Sequence, residues 1–279
     1  MTDGSSQGLF VVVAVVIFGI FVAISYSLFR DQLSPSLASI FRDSTEQATL
    51  KLNASKYYHI TPQKINEGSD FIFENGKIID YVGESKDVVI PYEINGEKVT
   101  VIGFASFRHK GLLSIVIPNT VENIEIRAFI GNNLETLYMP DSITQIGSEV
   151  FESNKLTEVR ISRGLTIIPE ETFRDNRLKS IDIPSNIKRI NAWAFSFNAL
   201  EEITVPRTVT FLGEKFVGSR IEGTGNLNTL KKVRIPKELE TMLQKNPLIM
   251  GLYAYIPEAT QVTEEDLLKL YPESIIEYY

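Results

Sequence analysis

The sequence predicts a mainly β solenoid built from 22-residue coils, and three columns of residues carry that prediction. Phe recurs at Phe107, Phe129, Phe151, Phe173 and Phe195. Leu recurs at Leu112, Leu134, Leu156, Leu178 and Leu200, and Ile at Ile102, Ile124, Ile146, Ile168 and Ile190. A constant interval in this range marks one supersecondary unit that cannot bury its apolar face without a neighbour. Such a stack favours a binding surface over a catalytic pocket. With 43% apolar residues in 279, the chain can bury a substantial core.

The first element, residues 1–30, is read as a leader and a transmembrane helix. Leu9 to Phe29 contains no charged side chain and is flanked by Asp3, Arg30 and Asp31. As a helix at 1.5 Å per residue it spans about 30 Å, the thickness of the hydrocarbon core. The leader MTDGSSQG lacks the Lys or Arg of a secretory signal, and no small-residue cleavage site follows the apolar run, so an uncleaved anchor is expected. Arg30 and Arg42 after the span favour a cytoplasmic repeat domain by the positive-inside rule, although long domains translocate largely regardless of charge.

Residues 31–58 read as a juxtamembrane amphipathic helix and linker. Ser34-Pro35 has the form of an N-cap and first helical position, and Leu37, Ile40, Phe41 and Ala48 follow at helical spacing. A long helix of this kind after Gly8 also resembles the stem of type IV pilin-like proteins, which implies a filament subunit self-assembling through its N-terminal helix. Two departures count against it: Val13 stands where such stems commonly carry Glu, and the leader has no basic residue.

Residues 59–98 are expected to form an N-terminal β-hairpin cap. Asn75-Gly76 and Asn95-Gly96 each lie between alternating apolar residues, the signal for a tight hairpin turn. Residues 99–236 hold the repeats. Each reads Leu-x-x-(Ile/Val)-x-(Ile/Val)-Pro, then two aliphatic positions, Phe and a turn Asn. The first segment alternates like a short strand, and Pro118, Pro140, Pro184, Pro206 and Pro236 end it. Phe fills the back of the coil, and Asn132, Asn154, Asn176 and Asn198 turn the chain toward the next strand. Residues 237–279 form a C-terminal cap, with short helices expected at Lys237–Lys245 and Glu264–Leu270.

These columns resemble the leucine-rich repeats of the treponemal or BspA type, found in many bacterial surface proteins. The resemblance covers roughly Asp87 to Pro236. It implies a right-handed solenoid with short parallel strands on one face, and adhesion or ligand recognition rather than catalysis. It also places the repeat domain outside the cell, outweighing the two basic residues after the span. Local departures are Ser162 and Arg163, where Ile-Pro would continue, Pro169 in a glycine column, and Phe216, which arrives one residue early. The last proline interval, Pro206 to Pro236, is 30 residues, with the excess around Ser219 to Asn226.

Little chemistry converges elsewhere. The net charge of −7, with basic residues scattered singly, disfavours nucleic acid. Cysteine is absent, which removes disulfides, thiolate metal sites and thiol nucleophiles. His59 and His109 are too few for a histidine metal site or a catalytic triad, and no phosphate-binding loop is present, so no enzyme activity, metal or cofactor is expected. The variable strand positions remain. One row holds Ser114, Thr136, Glu158, Ser180, Glu202 and Lys232. The other holds Val116, Tyr138, Arg160, Asp182, Thr204 and Arg234. At about 4.8 Å between adjacent strands each row forms a ladder, with Tyr138, Arg160 and Asp182 as neighbours. An aromatic anchor beside charges has the composition of a binding hot spot for a cell-surface protein or glycan. The competing reading is a solvated face laced with weak ion pairs.

Overall fold

The computed structural model describes residues 65–219, 230–245 and 276–279, all in the compact unit Asn53–Tyr279. The expected membrane span, the amphipathic helix expected after it, the insertion beyond Ser219 and the helix expected at Glu264–Leu270 lie outside the described residues. Among the described residues no helix is long and apolar enough to cross a membrane.

The N-terminal cap forms as its turn residues dictate. β1 (Phe71–Glu74) and β2 (Lys77–Tyr81) pair antiparallel. Asn75 and Gly76 between them have φ of 49° and 74°, both positive as a two-residue hairpin requires. β3 (Asp87–Val89) follows, and a second hairpin joins β4 (Glu93–Ile94) to β5 (Glu97–Lys98) through Asn95-Gly96.

Two sets of short strands then alternate around the coils. One set comprises β6 (Val101–Ile102), β8 (Asn123–Ile124), β10 (Gln145–Ile146), β12 (Ile167–Ile168), β13 (Arg189–Ile190) and β16 (Phe211–Leu212). Interleaved with them are the strands of the variable face, β7 (Ser114–Val116), β9 (Thr136–Tyr138), β11 (Glu158–Arg160), β15 (Glu202–Thr204) and β18 (Lys232–Ile235). An extra pair, β14 (Phe195–Asn198) and β17 (Val217–Ser219), occurs at the back of the last coils. The helix α1 (Glu240–Lys245) and the strand β19 (Ile276–Tyr278) complete the described chain. All pairings outside the two hairpins are parallel, so each coil stacks on the last in the same direction. The solenoid has about six turns with a spacing of about 23 residues, close to the 22-residue interval of the Phe column.

The repeated columns are the core. Phe107, Phe129, Phe151, Phe173 and Phe195 are fully buried and stack ring on ring, with centroids 4.9, 5.4, 5.9 and 5.7 Å apart. Tyr81 extends the stack into the cap, 5.3 Å from Phe107, and Phe71 packs against both. Phe216, one residue out of step, is equally buried.

The residues two before and two after each core Phe have positive φ, from Ala105 and His109 to Trp193 and Phe197. This paired left-handed geometry turns the backbone around the ring. The coils come close enough that Gly147 has no room for a side chain, since a Cβ there would lie 2.4 Å from the Ile126 nitrogen. Gly147→Ala is therefore expected to cost about 1–3 kcal/mol, read as a lower urea midpoint at unchanged slope.

The far end differs from expectation. The helix expected over Lys237–Lys245 is present as a 3-10 turn (Lys237–Leu239) running into α1. β19, unforeseen, pairs with β18 with Val233 opposite Ile276, and so covers the sheet edge.

Candidate functional site

Because Leu, Ile, Phe and Asn are consumed by the interior, chemistry is left to the variable face. The structure brings Tyr138 and Arg160 together as opposite residues on β9 and β11, with the guanidinium 4.6 Å from the Tyr138 ring centroid. Arg160 also donates to the Met139 carbonyl at 2.8 Å and to Asp141 Oδ2 at 2.7 Å. Burial alone would raise the Asp141 carboxyl. The Arg160 bond, the Arg163 N–H at 2.8 Å and both guanidinium charges outweigh it and hold that carboxyl below its ordinary value. A depressed folded value means stability that is complete above the unfolded value and lost as pH falls through the folded one. Arg160→Ala should remove that part of the acid dependence, measured as urea midpoints from neutral into acid pH.

Asp182 does not join this ladder. The expected strand at Ser180–Asp182 is absent, although Leu178, Ile181, Ile183 and Pro184 match the repeat motif. From Ser180 to Ile183 no backbone hydrogen bond forms with either neighbouring coil. Coils on both sides bond back to their predecessors, Ser142 to the Val121 carbonyl, Asn186 to the Arg163 and Leu165 carbonyls and Thr208 to the Ile187 carbonyl. Ser162 occupies the proline column, and its buried hydroxyl donates to the Ile143 carbonyl at 2.7 Å. The Arg163 N–H and the Arg160 guanidinium both bond Asp141. Ser162 thus supplies in its coil the backward bond that Ser142, Asn186 and Thr208 supply in theirs.

Two clefts flank the unpaired segment. One, about 580 Å³, is lined by Arg160, Arg163, Asp182, Ser185 and Asn186. The other, about 510 Å³, is lined by Ser180, Asp182, Glu202 and Thr204.

The remaining candidates fall elsewhere. Ser114 and Val116 are buried, with Ser114 Oγ donating to Asp87 Oδ1 at 2.7 Å, because β7 is covered on one side by β3. They leave the exposed rows. Glu158, Glu202 and Thr204 are exposed. Lys232 and Arg234 pair with Glu277 of β19 at 2.6 and 3.4 Å, and the Lys232 bond holds the Glu277 carboxyl low. Tyr279 lies under Arg207 and Arg234, 5.0 and 4.8 Å from its ring, and donates its hydroxyl to the Val205 carbonyl at 2.6 Å. The unforeseen C-terminal strand therefore occupies the end of the face where these two cations were expected to meet a ligand.

Sequence reasoning passed over Trp193 and Phe197. They occupy both left-handed columns of one coil, at φ of 59° and 57°, and their rings stack at 5.7 Å. The available signal was the single Trp of the chain in a column otherwise holding Ala105, Arg127, Glu149, Glu171 and Lys215. Arg174 lies 5.0 Å from the Phe197 ring and bonds Glu152 and Glu171, and Lys215 Nζ sits 4.4 Å over Trp193. The Asn ladder is structural: each buried amide accepts from a Leu N–H of the preceding coil and donates to Phe carbonyls. His109 is exposed in its turn.

The fold is similar to that of a leucine rich cell surface protein from Faecalibacterium prausnitzii, at 22% identity, TM-score 0.44, over 63% of this chain and 55% of that one. It is also similar to a leucine-rich repeat protein from Bacteroides ovatus, at 16% identity, TM-score 0.34, over 64% and 65% respectively. A leucine rich repeat protein of T. pallidum gives 18% identity and TM-score 0.33, over 62% and 72%. The chain thus spans little more than half the length of the first of these. No curated protein matches it. Residues 100–220 match the family model of the BspA type leucine rich repeat region in six copies, the same repeat that the Phe and Asn columns build in three dimensions.

Proposed function

We propose that this protein is a non-catalytic recognition module of a bacterial cell surface, held in the membrane through Leu9 to Phe29 and binding a protein or glycan partner on its variable strand face. The observation that carries the reading is the division of labour within the BspA-type repeats. Their recurring residues are spent on a stacked core, while Tyr138, Arg160, Glu158, Asp182, Glu202 and Thr204 differ from coil to coil on one side. Variation on a fixed scaffold is how repeat proteins select partners. The anchoring and its direction rest on the apolar run and on the resemblance to surface repeats.

Two measurements test this. Protease shaving of intact cells should release fragments from residues 99–236, whereas full protection would place the repeats inside. For binding, Tyr138→Ala should weaken capture of surface components by the full chain at least tenfold while costing at most about 1 kcal/mol of stability. Capture indifferent to this change would remove the Tyr138 region. Arg160→Ala is the poorer probe, because its bonds to Met139 and Asp141 support the fold.

A further inference from the structure

We infer that the unpaired segment Ser180–Ile183 and its two clefts form a single site for a linear peptide carrying an acidic and a basic side chain, the basic one toward Glu202. The inference rests on the recognition reading and names the chemistry of its ligand.

Three observations converge. First, the backbone N–H and C=O groups of four consecutive residues bond to neither neighbouring coil, whereas β11 before them and β15 after them are each paired on their far sides. A row of free main-chain donors and acceptors is what an added peptide backbone pairs with, and a sugar ring does not reproduce its spacing. Second, charge is segregated across the segment. The Arg163 guanidinium in the first cleft makes no hydrogen bond, its own backbone alone being used, by Asp141 and Asn186. The exposed Asp182 carboxylate lines both clefts and the exposed Glu202 carboxylate the second alone, neither with a hydrogen-bonded partner among the described residues. A cation is thus favoured on the Glu202 side and an anion on the Arg163 side. Third, Arg160 is held by Asp141 and stacked on Tyr138, so it walls the first cleft as a fixed edge. The aromatic anchor lies immediately beyond it. A peptide paired along Ser180–Ile183 therefore has the Arg163 cleft on one flank and the Glu202 cleft on the other.

The test uses the full chain in detergent and a displayed library of random linear peptides as the probe. Selection should enrich sequences with an acidic residue a few positions from a basic one. Asp182→Lys should weaken a selected peptide about tenfold with melting unchanged, and Arg163→Glu should weaken it as much while lowering the melting temperature slightly, because it places a like charge beside Asp141. The double variant Arg163→Glu with Glu202→Lys should prefer peptides whose charges are exchanged. Selected peptides that bind all these variants equally overturn the proposal, as does a library that yields no binder. Loss of peptide binding by Tyr138→Ala alone, with the charge variants indifferent, would overturn this site yet keep the strand-face reading. Glycan capture that falls with Asp182→Lys while peptides fail would overturn the peptide and likewise keep that reading.

Discussion

Replacing Phe151 by alanine should cost about 3–5 kcal/mol, a large part of the total stability of an ordinary domain. The ring is fully buried at the middle of the stack, with Phe129 and Phe173 on its two faces at 5.4 and 5.9 Å. Its removal opens a cavity and deletes two stacking contacts, each worth about 0.5–1.5 kcal/mol. Because coils contact only their neighbours, the damage also separates the stack into two halves. The urea transition should therefore move to lower concentration and broaden, and Phe151→Leu should restore most of the loss. Phe104→Ala is the control. That ring is 59% exposed, and its loss should change stability by less than about 0.5 kcal/mol.

Asn154→Ala should also be clearly destabilising, for a different reason. The buried amide accepts from Leu134 N–H at 3.2 Å and donates to the carbonyls of Phe129, Phe151 and Glu152 at 3.0, 3.2 and 3.2 Å. Truncation orphans the Leu134 N–H, while the three carbonyls keep a second donor each: Asn132 on Phe129, Asn176 on Phe151 and the Gly131 N–H on Glu152. One orphaned buried N–H costs about 1–3 kcal/mol, and that is the loss expected. Asn154→Asp distinguishes the polar role from packing. It keeps the volume but replaces the donor with a carboxylate facing those carbonyls. It should be strongly destabilising at neutral pH and partly recovered in acid, where the protonated carboxyl donates again. Circular dichroism melts at two pH values suffice.

The interior was legible in the sequence because it repeats. Phe, Leu, Ile and Asn each answer a demand that recurs in every coil, so a constant interval reports the demand itself. The hairpins at Asn75-Gly76 and Asn95-Gly96 were legible because positive φ at two successive positions restricts the residues that fit. What was not legible depends on single events between coils. Ser180–Asp182 has the full strand motif, yet its backbone stays unpaired while Asn186 of the same coil bonds the Arg163 and Leu165 carbonyls, so the motif alone does not decide pairing. β19 is three residues long and far from β18 in sequence, so no local pattern announces it. The fate of Lys232 and Arg234 followed from that one strand. Trp193 and Phe197 sit four apart across a core Phe, a relation that becomes visible only when both left-handed columns are known.

The central claim is that recognition uses the variable strand face. Hydrogen–deuterium exchange of the full chain, with and without a captured surface partner, tests it most directly. Protection on binding is predicted at 136–138, 158–163, 180–186 and 202–204. Protection confined to 193–197 and the other left-handed turns, with these segments unchanged, would contradict it.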